Sequence, residues 1–193
     1  MATQAAVPDL YSYQPLSDVQ NAIRILVLMP ATKLSAPLHG VLAEGRFANE
    51  DWQDAPYEAL SYVWGSTNSG HYITCDQPHT GSCGLIRITE NCDLALRHLR
   101  SRQQPRRLWV DAVCINQEDV SERNLQIRIM ANIYSCAEQT TVWLGTESPF
   151  SKFALRTSRV AMLLDKPAIL APFPIIAFSL FMQHYASRWS SFS

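Results

Sequence analysis

The side chains able to do chemistry gather just after one apolar run. In RLWVDAVCINQEDVSERNLQ, residues 107–126, Asp111 interrupts the apolar stretch, and Asn116, Gln117, Glu122, Arg123 and Gln126 follow it. Carboxylates, amides and a guanidinium grouped this way can grip a polar ligand or move a proton. They can also stitch a turn to a helix. In open α/β sheets, ligand and partner sites form where strands end and helices begin. A second polar corner lies earlier, in YEALSYVWG, residues 57–65. Ser61, Tyr62, Trp64 and Gly65 place a hydroxyl, a phenol, an indole and a permissive backbone at that strand's end.

Each of these residues has a second reading. A charge inside an apolar strand costs several kcal/mol unless it is paired. Asp111 is therefore either a site residue at the sheet edge or a carboxylate holding a nearby loop through backbone N–H groups or Arg123. Asn116 and Gln117 either bind a ligand or tie the turn. Glu122 stands three residues after Asp119, which is capping-box spacing. Arg123 can grip a phosphate or carboxylate, or pair with Asp111, Asp119 or Glu122. Trp64 can stack on a ligand or pack against the core. Ser61 lacks a GxSxG elbow, and Cys114 lies in an apolar run where cysteine behaves as a small hydrophobe.

The elements that must position these groups follow from patterning. Residues 22–29 (AIRILVLM) form a strand stopped by Pro30, and 38–43 can pair with it. The tract 44–56 reads as a polar connection. A buried strand is expected over 57–62. Residues 71–74 and 85–89 form a small hairpin. A helix capped by Thr89 or Asn91 spans about 91–102. The run 108–115 fits a strand covered on both faces. A helix starts near Val120 and carries Ile127, Met130, Ile133, Tyr134 and Ala137 at steps of three and four. A strand over 140–144 and a helix over 151–165 complete the series. The alternation predicts an α/β sheet, mostly parallel and flanked by helices.

The bulk numbers fit that picture. Of 193 residues, 47% are apolar and 17% charged, as in a folded domain. The net charge of -1 provides no field for nucleic acid. Arg97, Arg100, Arg102, Arg106 and Arg107 cluster near a helix end, where solvated cations are ordinary. Five cysteines without close spacing give no disulfide framework. Cys75, His79 and Cys83 recur at intervals of four but lack a clear fourth ligand, so no metal is assigned. The N-terminus does not read as a secretory signal, and a cytoplasmic setting is expected. Residues 1–21 read as a flexible arm. The apolar stretch 168–182 contains Pro172 and Pro174 and is shorter than the ~20 residues of a membrane-spanning helix. It is read as a buried connection or as the tail of a truncated product.

Three motifs in order resemble the fungal heterokaryon incompatibility (HET) domain. They are YEALSYVWG at 57–65, LWVDAVCINQ at 108–117 with Glu122, Arg123, Gln126, Met130, Ile133, Tyr134 and Ala137, and VWLG at 142–145. The strand at 23–30 looks like one that often precedes the domain. The resemblance covers about 22–150. Val113 and Ile127 depart from the family's usual isoleucine and valine, and both keep a β-branched side chain. The resemblance implies an intracellular allorecognition effector whose activation triggers cell death. It also implies a Toll/interleukin-receptor (TIR) or flavodoxin-like fold, here with an N-terminal strand pair and a β-hairpin insertion.

Two mechanisms are then open. Assembly with other HET- or TIR-like domains, with sensor proteins or with further copies of the chain needs no cofactor. Cleavage of NAD as a substrate, as some TIR domains perform, needs a well-placed carboxylate. Asp111, Glu122 and Glu147 are the candidates, and no glutamate follows Glu147. A truncated relative that regulates full-length homologues is a third reading.

Overall fold

A computed structural model describes residues 9–48, 51–65, 70–77 and 81–143. Strand β1 (Ala22–Leu28) pairs antiparallel with β2 (His39–Ala48), and β3 (Asp51–Trp52) folds back on the end of β2. Then come β4 (Glu58–Tyr62), the hairpin of β5 (His71–Gln77) and β6 (Ser82–Ile88), and helix α1 (Glu90–Leu99). Strand β7 (Arg106–Trp109), helices α2 (Asp111–Cys114), α3 (Val120–Arg128) and α4 (Met130–Ser135), and β8 (Gln139–Trp143) follow.

The strands form one sheet in the order β6-β5-β2-β1-β7-β4-β8. The sheet is mixed, which corrects the expectation of a mostly parallel one. Only β2–β5, β4–β7 and β4–β8 run parallel among the described pairs. The reason lies in β1. It is apolar on both faces, with Ile23, Ile25, Leu26 and Leu28 fully buried. That burial makes it a central strand, and it enters antiparallel to both β2 and β7. The expected N-terminal strand pair is thus built into the middle of the sheet. Within the other half, β7, β4 and β8 do form a parallel set with β4 in the centre.

Three further local expectations change. The tract 44–56 is not merely a connection, because β2 runs on to Ala48 and β3 pairs with it, Phe47 facing Trp52. The run 108–115 is not one strand. It leaves the sheet after Trp109, and Asp111–Cys114 coils into a single helical turn as Val113 and Cys114 donate their N–H groups to Val110 O. Every residue of that run is buried, and a short buried strand and a buried helical turn look alike in hydropathy. The single helix expected from Val120 breaks at Ile129 (φ -92°, ψ 5°) into α3 and α4.

Three of the five clustered arginines are not solvated cations, while Arg102 is exposed as expected. Arg97 grips Asp93 and donates to Leu34 O and Ala36 O, while Arg100 donates to Lys33 O and Pro37 O. Together they fix the β1–β2 loop onto α1. Arg106 pairs with Glu58 across the β4–β7 ladder at 2.5 Å. The described part of the N-terminal segment is bonded to the sheet. Tyr11 N donates to Leu85 O, and Leu85 N donates to Asp9 O. Gly84 is required at that crossing, since a Cβ there would lie 2.5 Å from Tyr11 Cα. The expected helix over 151–165 and the 168–182 stretch lie outside the described residues.

Candidate functional site

Because β4 and β7 are parallel neighbours, with Glu58 opposite Leu108 and Ala59 opposite Trp109, their C-terminal ends share one rim. The two polar corners read from the sequence therefore meet. Trp64 Nε1 donates to Asp111 Oδ2 at 2.7 Å, and Ala112 N donates to Asp111 Oδ1 at 2.7 Å. Gln117 Nε2 donates to Asp111 O at 2.8 Å, and Arg123 Nη1 donates to Gln117 O at 2.8 Å. Helix α1 joins from its first turn, where Asn91 Nδ2 donates to Val63 O at 2.8 Å. Gly65 turns the chain at φ +72°, which an L side chain rarely adopts.

The electrostatics follow from burial. Asp111 is 1% exposed, and desolvation raises its carboxyl to about 6 against the bonds from Trp64 and Ala112 that favour its charge. Tyr62, buried beside Asp111 and Cys92, has its phenol held well above the ordinary range. Burial pushes the Cys114 thiol up to about 12, so it holds its proton at neutral pH.

A second buried cluster lies behind the corner. Asp119 caps α3, accepting from Ser121 N at 2.9 Å and Glu122 N at 3.1 Å. The reciprocal half of the expected capping box is replaced. The Glu122 carboxylate turns to Arg24 of β1, with contacts of 2.5 and 2.9 Å, and takes the Asn116 N–H at 2.8 Å. Arg24 also donates to Cys114 O at 3.2 Å and Gln14 O at 2.6 Å. Its guanidinium lies 5.1 Å from the centre of the Tyr13 ring, and the Tyr13 hydroxyl donates to Val113 O. One ion pair thus ties the N-terminal segment, β1, α2 and α3 together.

The structure gathers Tyr62, Trp64, Gly65, Asp111, Gln117 and Arg123 at the corner. Asn116 joins Glu122 beside it. Ser61 stays in the β4 ladder opposite Val142. Gln126 reaches elsewhere, donating to Ala22 O at 2.9 Å and Val19 O at 3.3 Å where β1 begins. Glu147 and His79 lie outside the described residues. Cys75 is fully buried and Cys83 exposed, so those two do not converge on one site. Sequence reasoning passed over Arg24. The signal was available, since it is the one charge in the apolar strand 22–28 and needs a buried counter-charge.

These features define an α/β domain on a mixed sheet whose strand-end corners are locked by buried polar groups. The family model described as "Heterokaryon incompatibility protein (HET)" matches residues 57–167, more than half of the sequence, and the chain belongs to that family. Over 146 residues it is 38% identical to Heterokaryon incompatibility protein 6, OR allele, of Neurospora crassa, a match spanning 71% of this chain and 21% of that protein. The chain therefore spans about a fifth of that relative's length. No solved structure matches it significantly.

Proposed function

We propose that this chain carries the effector module of heterokaryon incompatibility, an allorecognition and cell-death function, and that it acts by assembly in the cytoplasm. Its partners are further HET- or TIR-like domains, sensor proteins, or other copies of itself. Family membership and the named relative support the role. One observation favours assembly over catalysis. Both candidate carboxylates among the described residues are buried and bonded, Asp111 to Trp64 and Ala112, and Glu122 to Arg24 and Asn116. A base or nucleophile must reach its substrate within hydrogen-bond distance, and these oxygens face protein groups. No described helix is long and apolar enough to cross a membrane.

The test has two arms. The chain is expressed in a fungal host as a fusion that can be dimerised by an added compound, and viability is followed. Purified protein is separately incubated with NAD, and nicotinamide release is measured by chromatography. Death that requires dimerisation, without nicotinamide release, is the expected result. Release abolished by Asp111→Asn or Glu122→Gln would replace assembly with NAD hydrolysis. Absence of death in the dimerised state would overturn the effector role.

A further inference from the structure

Three metal-ligating side chains converge away from the corner. His39 opens β2, Asp76 lies in β5 and Cys83 lies in β6. These strands are neighbours, with His39 opposite Thr74 and Asp76 opposite Cys83. Side chains alternate along a strand, so the register puts all three on one face. The adjoining Gly40 and Cys75 turn to the other face, which is buried. His39 Nε2 lies 2.8 Å from Asp76 Oδ1, and Cys83 Sγ lies 3.3 Å from the same oxygen. All three ligand atoms fall within 4.8 Å of one another.

We propose that His39, Asp76 and Cys83 form a zinc-class metal site, with three protein ligands and a fourth position open to solvent. Zinc takes N, O and S ligands tetrahedrally at about 2.0–2.3 Å, which sets the ligand atoms roughly 3.3–3.8 Å apart. A sulfur and an oxygen on one such ion lie about 3.5 Å apart, so the sulfur–oxygen distance is short by only about 0.2 Å, and the nitrogen–oxygen distance must widen by roughly half an ångström. Side-chain rotation supplies that, because His39 and Asp76 side chains are 41% and 42% exposed. Imidazole plus thiolate selects zinc, cobalt or copper over magnesium or calcium. A nucleophilic cysteine fits less well. The thiol donates to a carboxylate, a much weaker base than imidazole, so its proton is held rather than withdrawn. A metal would displace that proton, releasing one H⁺ from Cys83 for each ion bound. The backbone is well fixed for the purpose, with Met29 N donating to His39 O and Thr74 N to Leu38 O.

Cobalt(II) titration of the reduced, metal-free chain tests the site. The expected result is a saturable one-to-one signal with a cobalt–thiolate charge-transfer band and the visible bands of a four-coordinate ion, displaced by zinc. Cys83→Ser should remove the charge-transfer band, and Cys136→Ser should leave it. His39→Ala and Asp76→Asn should each weaken binding by about tenfold or more. A measurement on the unaltered chain accompanies these variants in case one fails to fold. Zinc should slow alkylation of Cys83, but not of Cys136, when each is read by peptide mass mapping. A band that survives Cys83→Ser, or equal alkylation of Cys83 with and without zinc, overturns the proposal.

Discussion

The chain holds two polar clusters of similar chemistry and opposite setting. Arg24 and Glu122 have side chains only 6% exposed, whereas His39 and Asp76 are 41% and 42% exposed. By register they belong to opposite faces of the sheet: Arg24 shares a face with Leu26, Leu42 and Gly40, and His39 shares one with Val41 and Asp76. In the buried cluster every charged oxygen must find a donor within the protein, so the cluster holds elements together. In the exposed cluster water satisfies what the protein leaves open, and the side chains remain available to bind. Burial, more than residue type, separates a fastening from a site.

The largest expected effect tests the buried side. Arg24→Ala leaves Glu122 uncompensated and should destabilise the chain by about 3–5 kcal/mol in urea unfolding. The double change Arg24→Met with Glu122→Leu should recover much of that loss. Next comes Asp111, whose carboxyl is raised from 3.8 to about 6 when folded. Its protonation favours the folded state, so this contribution is fully present below about pH 4 and lost as pH rises through about 6. The stability of the native chain relative to Asp111→Asn should therefore fall over that window, by something on the order of 2–3 kcal/mol. A flat difference between pH 4 and 7 would remove the desolvation account.

Glu58 should show the opposite sign. Arg106 holds its carboxyl below the usual range, so its contribution is present above about 4.5 and lost as pH falls below it. Glu58→Gln should cost about 1 kcal/mol at neutral pH and less in acid. Asp119→Ala removes the α3 cap and should cost about 1 kcal/mol in thermal unfolding. His39→Ala in metal-free protein should change stability by no more than about 0.5 kcal/mol. A cost there as large as that of Arg24→Ala would break the contrast between the two clusters.

Much of the corner was legible beforehand. Trp64 and Asp111 stood in separate motifs at strand ends, and parallel pairing of β4 with β7 brought them into contact. The hairpin of β5 and β6 and the Thr89 cap of α1 also followed from alternation and capping chemistry. The break after Trp109 did not, because the run 108–115 is buried in either conformation. Glu122 misled in a different way. Its spacing from Asp119 signalled a cap, but a buried guanidinium from β1 competes for the same carboxylate and offers a stronger, charge-assisted bond.

Local pattern determined most of the strands and helices, and the ordered motifs determined the family, because both are written in residues near one another in the chain. The mixed sheet, the pairing of Arg24 with Glu122 across 98 positions, and the meeting of His39, Asp76 and Cys83 were decided by tertiary structure alone. Each depends on which strand lies beside which. That choice comes from burying β1 on both faces, a property of the whole core that no local spacing encodes.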